Sequence, residues 1–301
     1  MTSNRTVTVV AGFLLIVLFC GSVISRRQVE KLRGHEATLE EVLYLPSGKT
    51  VKRLSLGYSG LLADIYWTRA VQYFGSKHLK HSTQYNLLYP LLDITTDLDP
   101  NLIPAYEYGS VFLSQKPPGG AGQPDNAVKL AEKGIRANPT YWRLDFILGF
   151  VHYIDRNDPK SAEEAFRKGS EIPGAMPWMK VMAARMAERS KDINTSIALW
   201  EAVYETTVDK SVKENAQVHL ASLQAEKDIS ELQDKIKVYR QQTGSFPSNW
   251  SDLIQARIIP GVPLAPMGEP YQLKSNGKVD VADPSNYHYL GEWRSNNPLP
   301  F

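Results

Sequence analysis

Three short segments set the scale on which this chain is divided: Leu98-Asp99-Pro100, Ala137-Asn138-Pro139 and Glu171-Ile172-Pro173. Their prolines lie 39 and 34 residues apart. Proline lacks a backbone donor and closes helices, so this spacing marks units too long for one helix and long enough for two. The longer gap contains Lys116-Pro117-Pro118-Gly119-Gly120-Ala121-Gly122, a loop inserted between the two helices of its unit. Small residues recur inside the units: Ala127 and Gly134 ahead of Pro139, Gly149 after it, then Ala162 and Gly169. Two antiparallel helices approach closely only where side chains are small, so these positions mark helix crossings.

This pattern resembles the tetratricopeptide repeat, a helix-turn-helix unit of about 34 residues that closes on proline. Ala127 and Gly134 stand where that family places its small residues. Leu148, Gly149 and Tyr153 match its first helix, and Ala162, Phe166 and Gly169 match its second, each one residue late. Trp142-Arg143-Leu144-Asp145-Phe146-Ile147-Leu148-Gly149-Phe150 is similar to the family's first helix, with the tryptophan early. The likeness covers residues 101–173.

Flanking segments read as degenerate copies. Residues 58–74 predict a helix with Leu61, Leu62, Ile65 and Val71 facing inward. Residues 82–98 predict its partner through Leu87, Leu91, Ile94 and Leu98, with Pro90 bending the first turn. Residues 178–189 and 195–206 give another pair, with Ala183, Ala184 and Ala187 as the contact surface. A single pair cannot bury its apolar face, so about four must stack. The expected fold is mainly α, an α-solenoid of repeat-like hairpins over 58–209 after an extended linker over 34–57.

Residues 6–25, TVTVVAGFLLIVLFCGSVIS, carry no charge. As a helix they would span about 30 Å, the hydrocarbon thickness of a bilayer. They predict a single-pass anchor that satisfies its backbone internally. A cleaved signal peptide is the alternative, but no A-x-A site follows the apolar core. A lipoprotein cysteine at Cys20 is disfavoured by Phe19 before it. Five basic residues against Glu30 make residues 1–33 an anchor with a basic flank of charge +4. The remaining chain, with 29 basic and 31 acidic residues, carries −2. That remainder offers no net positive charge for displacing counterions from phosphates, so no nucleic-acid partner is expected. Arg26, Arg27, Lys31 and Arg33 after the span favour a cytoplasmic body by the positive-inside rule. The usual retention of a short N-terminal tail and the nature of the C-terminal module favour an extracytoplasmic one. The expected site is a bacterial inner membrane with the body outside the cytoplasm.

Residues 210–242 form the longest helical run, with Ile229, Leu232, Ile236 and Tyr239 as a stripe and Gly244 as its stop. Residues 243–301 hold eight of the nineteen prolines, which predicts short strands and turns. Tyr239-Arg240-Gln241-Gln242-Thr243-Gly244-Ser245-Phe246-Pro247, Leu253 and Pro266-Met267-Gly268-Glu269-Pro270-Tyr271 resemble the head of type II secretion pseudopilins. Ala265 and Met267 replace that family's aspartate and tryptophan. Asp280 and Asp283 are too few for its calcium shell. The resemblance implies a borrowed α+β fold over 210–301.

No catalytic constellation emerges, and no cofactor, metal or small-molecule substrate is expected. Ser47-Gly48-Lys49-Thr50 lacks the first glycine of a phosphate loop, because position 43 is Leu43, and reads as a turn between extended segments. His78 and His81 are flanked by Lys77 and Lys80, whose charge opposes a cation. Asp93, Asp97 and Asp99 read as capping or solvated residues, and His152 as a satisfied structural histidine. The resemblance to tetratricopeptide repeats implies a concave face that binds protein partners. Its candidate groove residues are Arg143, Phe146, Phe150 and Tyr153, extended by Tyr106 and Lys180. The alternative is that Phe146 and Phe150 simply pack in the core. The expected function is a membrane-anchored interaction scaffold in assembly of a secretion, pilus or envelope complex. A fixed accessory subunit of a larger membrane complex is the second reading, and a degenerate enzyme the third.

Overall fold

A computed structural model of the chain describes residues 47–291. They form a mainly helical body. The expected span over 6–25 and its basic flank lie outside the described residues. Among the described residues no helix is long and apolar enough to cross a membrane.

The helices are α1 (Gly48–Leu54), α2 (Ser59–Leu79), α3 (Leu88–Leu98), α4 (Ile103–Ser114), α5 (Pro124–Ala137), α6 (Arg143–Phe150), α7 (Pro159–Ser170), α8 (Trp178–Arg189), α9 (Ile193–Thr206), α10 (Lys210–Thr243) and α11 (Trp250–Gln255). From α2 to α10 each helix packs on its successor, and α3 and α4 also reach the next helix but one. The starts are chemically marked. Proline occupies the first turn of α4, α5 and α7, where no helical partner for its nitrogen is missed. Asp158, Asp192 and Asp209 cap α7, α9 and α10 by accepting from Ser161, Thr195 and Ser211 backbone N–H groups at 3.1, 3.0 and 2.8 Å.

Pro100, Pro139 and Pro173 fall in the connections after α3, α5 and α7. The small residues lie at helix crossings. A Cβ on Gly134 would come within 2.8 Å of the Tyr106 ring, and one on Gly109 within 2.9 Å of Leu92 and Leu130. The loop at 116–122 joins α4 to α5 as expected.

Several expectations need correction. The extended linker ends early: Gly48 to Leu54 is helical, with Gly48 and Val51 buried and Gly48 pressed against the Asp97 side chain of α3. The segment is therefore neither a phosphate loop nor a turn between strands. In α2 the expected inward residues Leu61, Ile65 and Val71 face out, and Ala63 and Ala70 are the buried ones. α3 begins at Leu88 rather than 82, so Pro90 sits unopposed in its first turn. Asp93 and Asp97 do not face solvent alone, since Lys133 of α5 reaches them at 2.7 and 2.5 Å.

α10 has 34 residues, about 50 Å of helix. Its first half, through Ala216 and Leu223, packs with Ala184, Trp200 and Val203 of α8 and α9. Its second half, through Ile229, Leu232 and Ile236, enters a separate core with Trp250, Leu253, Tyr271 and Tyr287. Gly244 ends it at φ 82°, a left-handed position that favours glycine. Beyond lie α11, capped reciprocally by Asn249 and Asp252, and a two-stranded antiparallel ribbon. Its strands β1 (Gln272–Leu273) and β2 (Val279–Asp280) pair Gln272 with Asp280 and Leu273 with Val279. Tyr271 ties this module to α10: its hydroxyl donates to Asp228 at 2.9 Å, and its carbonyl accepts from the Trp250 indole at 2.8 Å.

Candidate partner-binding surface

The connection between α7 and α8 runs through Pro173, Gly174 and Pro177. Gly174 adopts φ 81°, with open space around it. The prolines keep this stretch from continuing either helix, and it carries Met176 and Trp178 to the surface with the Trp178 indole donating to the Met176 sulfur at 2.9 Å. One layer on, residues 207–209 join α9 to α10 and present Val208, which is fully exposed. Between the two connections lies an open cavity of about 630 Å³. Its walls are chiefly apolar, including Met176, Trp178, Val181, Val203, Val208 and Val212. Lys180 stands on the wall with its ammonium donating to the Thr206 hydroxyl at 3.3 Å. Glu171 and Asp209 also line it, and a cavity with chiefly apolar walls, one ammonium, two carboxylates and a few hydroxyls suits an apolar side chain carried by an extended or helical peptide.

Behind Trp178 is an aromatic cluster. Phe146 and Phe150 of α6 meet each other edge-on at 4.8 Å between ring centres. Trp178 meets them at 5.3 and 6.3 Å, and Phe166 of α7 meets Phe150 at 5.2 Å. Edge-to-face geometry matches the quadrupoles of the rings and favours the arrangement beyond its area burial. Trp178 thus has one side on the cluster and another on the cavity.

The six expected groove residues divide between places. Phe146, Phe150 and Tyr153 come together, half-buried against the core made by Phe166, Met179 and Ala183. Lys180 reaches the cavity. Tyr153 is engaged by Arg189, whose guanidinium lies 5.1 Å over the ring and donates to the hydroxyl at 3.2 Å. Tyr106 is not a groove residue: it is wholly buried on α4 under Gly134. Burial holds its hydroxyl pKa up at about 12. Arg143 is turned to α4, pairing with Glu107 at 2.9 Å, and Glu107 also accepts from the Tyr141 hydroxyl at 3.1 Å. The residues that sequence reasoning missed are Trp178 as a surface side chain, Met176 and Val208. The available signal was a large apolar residue beside each turn, where solvent-facing loops rarely spend one.

Past Phe150 the helix widens into a π-turn, Val151–Asp155. There the backbone bond runs five residues back, the Arg156 N–H donating to the Val151 carbonyl at 3.1 Å. His152 sits there, buried, its Nδ1 without a hydrogen-bond partner and 3.8 Å from the Asp158 carboxylate. It is therefore not the satisfied histidine expected. Loss of water around the ring lowers its pKa, against the raising influence of Asp158. His78 faces the Pro118 carbonyl at 2.7 Å and stacks on Phe74, and His81 lies in a left-handed turn after α2. Among the described residues no group of three or more His, Cys, Asp or Glu side chains is arranged to hold a metal.

Asp145, on the buried side of α6, packs against Gly169, where an added Cβ would meet its own at 2.7 Å. Removal from water pushes its carboxyl pKa up to about 6, against weaker pulls from its backbone N–H and Lys168. A carboxyl raised in the folded state contributes stability that is complete below about pH 4 and lost as pH rises through about 6. Asp145→Asn is expected to be more stable than the parent by about 1–2 kcal/mol at pH 8, with the difference vanishing near pH 4. Denaturant titrations at both pH values check this; an equal difference at both would assign the effect to something other than ionisation.

No protein-family model matches the chain, and no curated protein or solved structure matches it. The functional reading rests on the chain's own geometry.

Proposed function

We propose that this chain is a membrane-anchored scaffold of the tetratricopeptide type. In this reading residues 6–25 are the tether, the hairpins from α2 to α9 form an α-solenoid, and the Pro-rich module after α10 is a pseudopilin-like cap. The body lies outside the cytoplasm of a bacterial cell and holds protein partners during assembly of a secretion, pilus or envelope complex. Support comes from the order of packing, helix on successive helix, and from glycine and alanine at the crossings. The observation that carries the binding role is the cavity between the 171–178 and 207–209 connections, with Trp178 and Val208 exposed at its mouth. Large apolar side chains at the rim of an open cavity are anchors for a partner's side chain. No catalytic step belongs to this reading.

A photo-crosslinking amino acid at Trp178 of the full-length chain, expressed in cells, tests it. One discrete adduct is expected from Trp178 and from Val208, and none from Ile154, which is exposed elsewhere. Failure of both cavity positions to give an adduct in chains found in the membrane fraction would overturn the binding role. An adduct with one protein that co-purifies in fixed stoichiometry through mild detergent would identify an accessory subunit instead.

A further inference from the structure

The start of the described chain carries a second apolar surface that the cavity does not involve. Leu54 ends α1, Leu56 and Tyr58 lie in the turn after it, and all three are 70–87% exposed. Leu61 and Ile65 follow on α2, 59% and 43% exposed. Leu61 and Ile65 are four residues apart and share one face of α2, with Tyr58 at its N-cap just ahead of them. That face is opposite the Ala63 and Ala70 side that packs on α3. Leu56 is held at φ 49°, a conformation that bulky residues avoid, and it gains no burial there. Four large aliphatic side chains and a tyrosine are thus presented together to solvent.

The charge around them is one-sided. Within residues 47–65 Lys49, Lys52 and Arg53 stand against Asp64 alone, a net charge of +2, and Arg69 follows one turn further along α2. Residues 34–46 hold Glu36, Glu40 and Glu41 with no Lys or Arg, and residues 82–301 hold 23 basic and 27 acidic residues, a net charge of −4. Lys49 and Arg53 are exposed beside the leucines, and Lys52 donates to the Asp97 carbonyl at 3.0 Å. Exposed apolar side chains with Lys49 and Arg53 on the adjoining α1, and tyrosine among them, match the chemistry of an anionic bilayer surface. A folded protein partner would be expected to meet such leucines without needing the cationic excess.

We propose that Leu54, Leu56, Tyr58, Leu61 and Ile65 insert into the interface of a bilayer containing anionic lipid, with Lys49 and Arg53 against its headgroups. This second contact would fix the rotation of the first hairpin on the membrane, so that the cavity near Trp178 is presented at a set height and direction. The proposal deepens the membrane-anchored reading and shares its premise that the body works beside a bilayer.

The test uses the full chain reconstituted in vesicles of phosphatidylcholine, alone or mixed with phosphatidylglycerol, with nitroxide-labelled lipid as quencher. A fluorophore is attached to native Cys20, or, in a Cys20→Ser background, to a cysteine at Leu61, Ile65 or Glu201. Labels at Leu61 and Ile65 are expected to be quenched severalfold more than at Glu201. The excess should shrink in phosphatidylcholine alone, in high salt, and with Lys49→Glu plus Arg53→Glu. Quenching at Cys20 but not at Leu61 or Ile65 overturns the surface contact and leaves the tether standing. Quenching at Leu61 and Ile65 without Cys20 supports the contact and removes the tether. No quenching at any of the three removes both. Labels at Leu61 and Ile65 shielded from aqueous iodide yet unquenched by lipid would overturn the proposal in favour of a protein covering the face.

Discussion

Replacing Trp200 with alanine is expected to lower the folding stability by about 3–5 kcal/mol, the largest loss of any single substitution considered. Trp200 is wholly buried on α9. Its ring stacks on His219 of α10 at 4.0 Å and 12°, and His219 stacks on Tyr289 at 3.7 Å and 10°. Its indole N–H donates to Glu188 at 2.6 Å, and the same carboxylate oxygen lies 2.7 Å from the His219 Nδ1. Truncation therefore opens a cavity and removes one of two partners of a nearly buried carboxylate. Because Tyr289 also lies against Ser222 and Asn215 of α10, the column joins the last hairpin to the chain's C-terminal part. Trp200→Phe keeps part of the stack but loses the donor and the volume of one ring, so its expected cost is about 2–3 kcal/mol. Trp178→Ala removes a tryptophan that is 36% exposed, and should cost less than Trp200→Ala. Guanidinium unfolding followed by circular dichroism orders the three; a Trp200→Ala loss under about 1 kcal/mol would contradict the central place given to the column.

The same contrast explains what could be read from the chain in advance. Pro100, Pro139 and Pro173 were legible because proline acts on its own backbone, whatever surrounds it. Gly134 and Gly169 were legible because a crossing leaves no room for a side chain, and that requirement survives in a single sequence. The face of α2 was not. Periodicity weighs large apolar side chains, and Leu61, Ile65 and Val71 outweigh Ala63 and Ala70, yet α3 approaches the alanines. α1 escaped notice since seven residues with three cations carry too little apolar pattern to register. Tyr106 was assigned to a groove by its place in a unit, but the absent side chain of Gly134 makes a pocket that its ring fills. The cavity was illegible for another reason. Its two connections are about thirty residues apart and meet only after α8 and α9 have stacked, so no local pattern announces it.

Gly149→Ala should destabilise the chain by about 2 kcal/mol net, although alanine is the better helix former by about 1 kcal/mol. The added Cβ would lie 2.6, 2.7 and 2.8 Å from three atoms of the Phe166 ring. Such approaches require movement, and the ring has little freedom. Phe166 is wholly buried, and Phe150 holds it edge-on from the side. Either α6 and α7 must separate or Phe150 must turn, and turning Phe150 disturbs the cluster that supports Trp178. Gly75→Ala on α2 supplies the opposite sign. Nothing lies within 4 Å of the position its Cβ would take, so only the backbone preference remains and a gain of about 0.5–1 kcal/mol is expected. Thermal unfolding of the two variants beside the parent decides the matter. If Gly149→Ala gains stability as Gly75→Ala does, α6 and α7 do not cross as closely as described. The aromatic backing of the cavity would then be lost as well. If Gly149→Ala unfolds early while the Trp178 crosslink weakens with it, the crossing and the binding surface are one mechanical unit.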